Sequence, residues 1–495
     1  MFIMKIFKLN KNLMKSKFLI IKFSRILGLI LLLSVVLVFL SCNSKTTENK
    51  PKYIFLFIGD GMGFGNVSIG EAFLSVQDGK TGFKRLNLSS FPVHGECTTD
   101  CADNLITDSG AAGSAIACGE KANFGTISFY PDKTNPPLSI AKIAKQNGFK
   151  VGIITTVGIN HATPAVFYAN NNNRRDYYNI GLQLCESGFD FFGGGGFLKP
   201  NDKSNDKRSL YEITQENAYV ITNSIDNWKD LVKDKKGLYF TNPVLLDEAD
   251  MPYAIDRKEL GGFSLAEIVE KAIDFLFNQK GFFIMVEGGK IDWAAHENDP
   301  ATLALEVIDF DLAVKKALEF YHKYPEQTLI IVTADHDTGG ISIGNYEKEY
   351  QTNLSLLLNY KHSLKYFSGV LDNYKEKNKD YSIQEVLKLA DENFYSPLPY
   401  FSKNDMIELK SAFDYYFFTR TNLSEEELRI KYDEYNPVAV AISKVIIRNI
   451  GLNFSTWNHL ANKVPVYTIG KGAEYFGGSM DNTEFKPKIL NLMQW

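Results

Sequence analysis

Short apolar runs punctuate the chain, and each is closed by glycine or polar residues. Residues 53–58 run into Gly59-Asp60-Gly61-Met62-Gly63, and 151–155 precede the turn at Gly158. Residues 282–286 lead into Glu287-Gly288-Gly289, 329–333 into Ala334-Asp335-His336, and 464–469 into Gly470. Runs of this length bounded by turn residues predict strands buried on both faces. Between them 138–146, 264–279 and 302–321 carry helical spacing, so strand and helix alternate as in a parallel α/β sheet. The expected fold is a three-layer α/β/α sandwich with a large, mostly parallel central sheet, and ligands should gather beyond the carboxyl ends of its strands. From 346 to 435 the texture turns rich in lysine, tyrosine and glutamate with no buried strand. It predicts a mainly helical insertion dividing a core of 53–345 and 436–495. No repeat of 20–50 residues is visible, which excludes solenoids and propellers.

The length of 495 residues allows about three domains, or one large core with an insertion. Apolar residues at 45% and charged residues at 23% sit near globular averages and argue against a disordered, collagen-like or polytopic membrane protein. The net charge of −4 hides an asymmetry: residues 1–41 hold seven basic residues and no acid, leaving 47 basic against 58 acidic residues, or −11, in the remainder. That sign argues against nucleic acid as the main partner.

The basic segment is followed by the apolar run 26–40 and Ser41-Cys42, the pattern of a secretory signal. The run is shorter than the roughly 20 residues that span a bilayer, so cleavage is expected rather than a permanent anchor. Phe39-Leu40-Ser41-Cys42 resembles a bacterial lipobox, which makes 1–42 a signal peptide ending in a lipid-bearing Cys42. The polar stretch 43–52 then reads as a tether. The expected location is the bacterial cell envelope, on the periplasm-facing outer membrane, with surface display left open. Cys97, Cys101, Cys118 and Cys185 remain, an even number in an oxidising compartment; a Cys97–Cys101 bridge is one option.

Asp60, Glu287, Asp292, His296, Asp335, His336 and the later His459 stand at or just beyond expected strand ends or in short turns. Singly, such an aspartate reads as a turn residue or helix cap, and such a histidine as a satisfied polar group. Together they point to metal: mixed carboxylate and imidazole ligands suit zinc, and oxygen sets suit magnesium. Asp292 and His296 are four apart, so a helix beginning here puts both on one face. Ser109 opens a run of small residues that would let a helix N-terminus approach a ligand closely, although an ordinary N-cap serine reads the same way. No Gly-x-Ser-x-Gly elbow surrounds it, so activation by metal fits better than a Ser-His-Asp triad.

The motifs F-I-G-D-G-M-G at 57–63, T-D-S-G-A-A-G-S-A at 107–115, C-G-E-K-A-N-F-G-T at 118–126 and H-A-T-P at 161–164 occur in that order. F-F-G-G-G-G at 191–196, E-G-G-K-I-D-W-A-A-H at 287–296, T-A-D-H-D-T-G-G at 333–340 and W-N-H at 457–459 follow. This ordered set resembles the alkaline phosphatase family from about residue 53 to the C-terminus, outside the interior of the insertion. The resemblance implies two Zn²⁺ and one Mg²⁺. Ser109 matches the nucleophile, with Asp60, Asp335 and His336 as ligands of the zinc that activates it. Asp292, His296 and His459 match the other zinc, while Thr163 and Glu287, with Asp60 reaching towards them, match the magnesium ligands. The phosphate-clamping arginine falls at Arg174, or at Arg175 after a one-residue slip, with Asp108 as its orienting partner. His161 and Trp293 occupy positions that vary within the family.

The implied activity is metal-dependent hydrolysis of small phosphate monoesters through a phosphoserine on Ser109. Two metal ions about 4 Å apart would stabilise the attacking and leaving oxygens of an in-line displacement. The aromatic helices of the insertion could form a homodimer contact, cover the mouth of the site or pack on the core. A related phosphodiesterase, sulfatase or phosphomutase is the enzymatic alternative, and a silent metal- or phosphate-binding protein the non-enzymatic one.

Overall fold

The computed structural model describes residues 50–130, 136–201, 208–224, 226 and 237–495, together with the single residues Met14 and Lys22. The expected signal, Cys42 and most of the tether lie outside the described residues. Among the described residues no helix is long and apolar enough to cross a membrane.

The strands, in chain order, are β1 (Tyr53–Gly59), β2 (Val93–Cys97), β3 (Lys150–Thr155), β4 (Phe191–Gly194), β5 (Tyr219–Thr222), β6 (Gly237–Thr241), β7 (Phe282–Glu287) and β8 (Thr328–Ala334). After them come β9 (Asp337–Thr338), β10 (Ser342–Ile343), β11 (Leu452–Asn453), β12 (His459–Leu460), β13 (Val464–Gly470) and β14 (Gly478–Met480). Ten of them form one sheet in the order β14-β2-β13-β8-β1-β7-β3-β4-β6-β5. The pairs from β8 to β5 are parallel, whereas β13 runs antiparallel to both β8 and β2. All seven residues of β1 are buried, as a strand covered on both faces requires.

Alternation along β7 shows the two covering layers. Phe282 packs on Tyr53, Phe55 and Phe320 of the helix Pro300–Lys323, whereas its neighbour Phe283 meets Phe167, just beyond the short helix Ala162–Ala165. The fold is thus the expected three-layer α/β/α sandwich around a mostly parallel sheet.

The sheet extends further than its obvious apolar runs. The glycine tract 193–196 belongs partly to β4, which pairs with β3. Gly194 has φ +108°, and a Cβ there would lie 1.8 Å from the Thr155 carbonyl oxygen, so only glycine lets the two strands meet at this point. Within 346–435 lie the helices Leu364–Lys377, Ile383–Asn393, Lys403–Phe418 and Glu425–Tyr432. The first of them starts on buried carboxylates, where Asp256 accepts hydrogen bonds from Ser363 N–H (3.0 Å) and Ser363 Oγ (2.6 Å) and Asp299 Oδ2 accepts Leu364 N–H (2.8 Å), while apolar residues such as Phe367, Val386 and Phe413 join the main core.

The Cys97–Cys101 bridge is absent. All four described cysteines are free and buried, and their thiols are engaged elsewhere. Cys97 donates to the Thr98 carbonyl (3.1 Å), Cys101 to that of Asn104 (3.2 Å) and Cys118 to Ser128 Oγ (3.3 Å), while Cys185 Sγ lies 3.0 Å from Thr214 Oγ1. Burial pushes these thiols up, away from the reactive thiolate form.

Candidate active site

The carboxyl ends of β1, β3, β7 and β8 open onto one place, and each delivers a polar residue there: Asp60 just after β1, Thr155 at the end of β3, Glu287 at the end of β7, and Asp335 and His336 just after β8. Parallel neighbours keep these ends level, so side chains up to 276 positions apart converge. The helix Gly289–His296 follows β7 immediately and carries Asp292 and His296 one turn apart, with His296 Nε2 at 3.3 Å from Asp292 Oδ2.

His459 enters from the far end of the chain on β12, which pairs with β9. Its Nδ1 meets the Thr107 carbonyl (2.8 Å), and its Nε2 lies 3.1 Å from His296 Nε2 and 3.7 Å from Asp292 Oδ1. Its ring stacks on that of His336, with centroids 3.7 Å apart.

Ser109 is the first residue of the helix Ser109–Cys118, and Asp108, not Ser109, is the N-cap, accepting the Ala111 N–H. Ser109 Oγ lies 3.3 Å from His336 Nε2, and the same nitrogen is 3.3 Å from Asp60 Oδ1 and 3.5 Å from Asp335 Oδ2. Arg174 Nη1 donates to Asp108 Oδ2 at 2.6 Å, whereas the Arg175 side chain is exposed, so it is Arg174 that reaches this site.

Three groupings of potential ligand atoms result, each with its atoms within 4.8 Å of one another: Asp60, Asp335 and His336; Asp292, His336 and His459; and Asp60, His161 and Glu287. Thr163 Oγ1 joins the last by donating to Asp60 Oδ2 at 3.1 Å. The donor set fits divalent metal. Asp60 Oδ1, Asp335 Oδ2, Glu287 Oε1 and His161 Nδ1 are buried without a hydrogen-bond partner, an arrangement that is costly unless a cation satisfies it.

The electrostatics point the same way. Burial, with Asp335 and Asp292 nearby, pushes Asp60 well above the usual carboxylate range; burial likewise takes Glu287 up to about 7 and Asp335 up to about 8. Burial and the His459 ring hold His336 neutral, the form that binds metal.

Three participants were not singled out as ligands or supports by sequence. His161 joins Asp60 and Glu287, Thr155 Oγ1 donates to Glu287 Oε2 at 2.5 Å, and Thr338 bridges His336 Nδ1 (3.1 Å) and Asp292 Oδ1 (2.6 Å). His161 and Thr338 do lie inside quoted motifs, and that was the available signal.

The sequence model of the alkaline phosphatase family matches residues 51–188 and 198–495. Alkaline phosphatase 4 of Bacillus subtilis is 31% identical over 464 residues, covering 91% of this chain and 90% of the relative. An alkaline phosphatase of Schizosaccharomyces pombe is 29% identical, with 92% and 84% covered. Among solved structures, a cold-active alkaline phosphatase from a psychrophilic Shewanella superposes with TM-score 0.70 at 26% identity, covering 89% of this chain and 99% of that one. A variant TAB5 alkaline phosphatase with Mg bound in its M3 site superposes with TM-score 0.61 at 28% identity, covering 90% and 99%. The chain belongs to the alkaline phosphatase family.

Proposed function

We propose that the chain hydrolyses phosphate monoesters at Ser109. The observation that carries this reading is the position of Ser109 Oγ, 3.3 Å from Nε2 of His336, whose ring is shared by two of the carboxylate–imidazole groupings, and on the helix that Asp108 ties to Arg174. Asp60, Asp335 and His336 would hold one zinc, Asp292, His296 and His459 a second, and Asp60, Thr163 and Glu287, with His161 beside them, a magnesium. Bound there, the ions would lower the pKa of nearby hydroxyls and offset charge on phosphoryl oxygens.

The chain's own groups do the rest. Arg174 offers a planar pair of donors to two non-bridging phosphate oxygens, and Asp108 holds the guanidinium in place. The partial positive charge at the N-terminus of Ser109–Cys118 favours the bound anion. Ser109 Oγ attacks phosphorus in line with the ester oxygen, so the Oγ–phosphorus bond forms as the ester P–O bond breaks; the seryl proton passes to water and the leaving alkoxide takes one from water to depart as the alcohol. Water then breaks the phosphoserine, restoring the Ser109 hydroxyl and releasing inorganic phosphate.

Initial rates on a chromogenic monoester and the matching diester, before and after chelation, test this. The expected result is a strong monoester preference that chelation abolishes and zinc with magnesium restore; faster diester hydrolysis would refute the reading.

Export and lipid attachment through Cys42 belong to the same proposal, supported by the basic segment, the apolar run and the lipobox-like sequence. Labelled fatty acid should enter the wild-type chain in a bacterial host and be lost in C42A.

A further inference from the structure

The helical insertion sets a cation at the rim of the site. Its first helix, Leu364–Lys377, starts where Ser363 and Leu364 bond to Asp256 and Asp299, which fixes the next residue, Lys365, against the core helix Gly289–His296. Lys365 Nζ lies 5.6 Å from the centre of the Trp293 ring and 3.8 Å from Asp250 Oδ2. Along Gly289–His296 only Trp293 and His296 are not fully buried, and they stand three apart on one face, so this is the face on which the helix meets solvent. The Trp293 ring meets that of His161 edge to face at 6.1 Å, and His161 Nε2 is 3.5 Å from Arg174 Nη2. A line of side chains therefore runs from Arg174 through His161 and Trp293 to Lys365.

The charge on Lys365 is not consumed by its neighbours. Asp250 is fully buried and already pairs with the buried Lys290 ammonium, so one carboxylate faces two ammonium groups. Lys290 is closed off from solvent, with its ammonium 3.8 Å from the centre of the Tyr253 ring and 4.7 Å from that of Trp293. The Lys365 side chain is 35% exposed, so of the two it is the one a ligand can reach. Residues 42–495 carry 47 basic against 58 acidic residues, a balance that repels a second anionic group on a substrate unless a cation receives it. An ammonium on a flexible stem, with three donors, suits a phosphate whose distance from the reacting ester varies.

Resting on the phosphomonoesterase reading, we infer that Lys365, beside Trp293, forms a subsite for a second phosphate carried on the alcohol. The enzyme then favours bisphosphates over uncharged alkyl esters of the same length. With one phosphoryl group between Ser109 and Arg174, the alcohol crosses Trp293 and its far phosphate meets Lys365.

The test is a ratio of kcat/KM values on the metal-loaded enzyme: the terminal bisphosphates of straight-chain propane-, butane- and hexanediol, counted per phosphate, against propyl, butyl and hexyl phosphate. The reacting ester is of one kind throughout, so the ratio reads the far anion. At least one length should give a ratio of about 5 or more at about 0.01 M salt, with the gain in KM rather than kcat. The ratio should fall towards 1 at about 1 M salt, where the screening length shrinks from about 30 Å to about 3 Å. K365Q should bring the low-salt ratio to 1 or below, and K365R should retain most of it; thermal melting checks the fold of both. The wild-type series and its salt dependence decide the question even where a variant melts early.

Ratios at or below 1 for every length with an active wild-type enzyme, or an unchanged ratio in folded K365Q, would overturn this inference and leave the phosphatase reading intact. Lys365 would then serve only to hold its helix against Asp250. Failure to release phosphate from any of these esters would remove the phosphatase reading and the subsite with it.

Discussion

Asp108 binds the Arg174 guanidinium through Oδ2 at 2.6 Å while its Oδ1 accepts the Ala111 N–H at 3.2 Å, so one carboxylate both caps the helix that starts at Ser109 and aims the cation beside it. The two duties are separable. Asparagine caps a helix about as well as aspartate but carries no charge. D108N should therefore cost little stability while lowering kcat/KM at least about tenfold and weakening inhibition by inorganic phosphate. D108A should show the same kinetic loss and a further destabilisation of about 1 kcal/mol. Steady-state kinetics and urea unfolding of the two variants check this; D108N kinetics equal to wild type would show that Asp108 does not hold the arginine.

Ser109 is buried at the head of its helix, and its replacement by alanine removes only the hydroxyl. S109A should lower turnover by at least about 10³-fold while leaving thermal melting within about 2 °C of wild type. The wild-type chain quenched in acid during turnover should carry one labelled phosphate that S109A lacks. Substantial label on S109A would place the covalent step on another residue.

Metal removal should expose the repulsion among the buried carboxylates. In the metal-free chain Glu287 titrates near about 7 and Asp335 near about 8, against about 4 when unfolded. Across that window the folded state holds protons that the unfolded chain has released, so stability falls as pH rises from about 4 towards about 8. The chelated protein should melt about 3–5 °C lower at pH 8.5 than at pH 6, and saturating zinc and magnesium should erase most of the difference. A chelated protein that is more stable at the higher pH would contradict the assignment.

Asp256 holds the start of the helical segment by accepting Ser363 N–H, Ser363 Oγ and, at 3.2 Å, His362 Nδ1. D256A leaves these donors unsatisfied in a buried setting, at about 2–4 kcal/mol. Limited proteolysis should then cut within 346–435 at least about tenfold faster than in wild type. Cleavage at the wild-type rate would mean that the apolar contacts of these helices suffice to hold them.

Much was legible along the chain because local pattern and burial coincide. The runs at 53–58, 151–155, 282–286 and 329–333 became β1, β3, β7 and β8, since strands covered on both faces need continuous apolar residues, and the polar residues after them had to stand at the strands' carboxyl ends. The spacing of Asp292 and His296 placed both on one helical turn without reference to anything else. Other features depended on neighbours distant in sequence. β4 hid in a glycine tract because its backbone fits only against Thr155, the antiparallel direction of β13 follows from its partners, and the four cysteines are buried apart as free thiols. His161 came to Asp60 and Glu287, and His459 to Thr107 and Asp292, through strand order and long connections. The chain alone determined which residue types and which strand ends could do chemistry; only the tertiary structure decided which of them share one site, because that depends on contacts between segments hundreds of residues apart that no local pattern encodes.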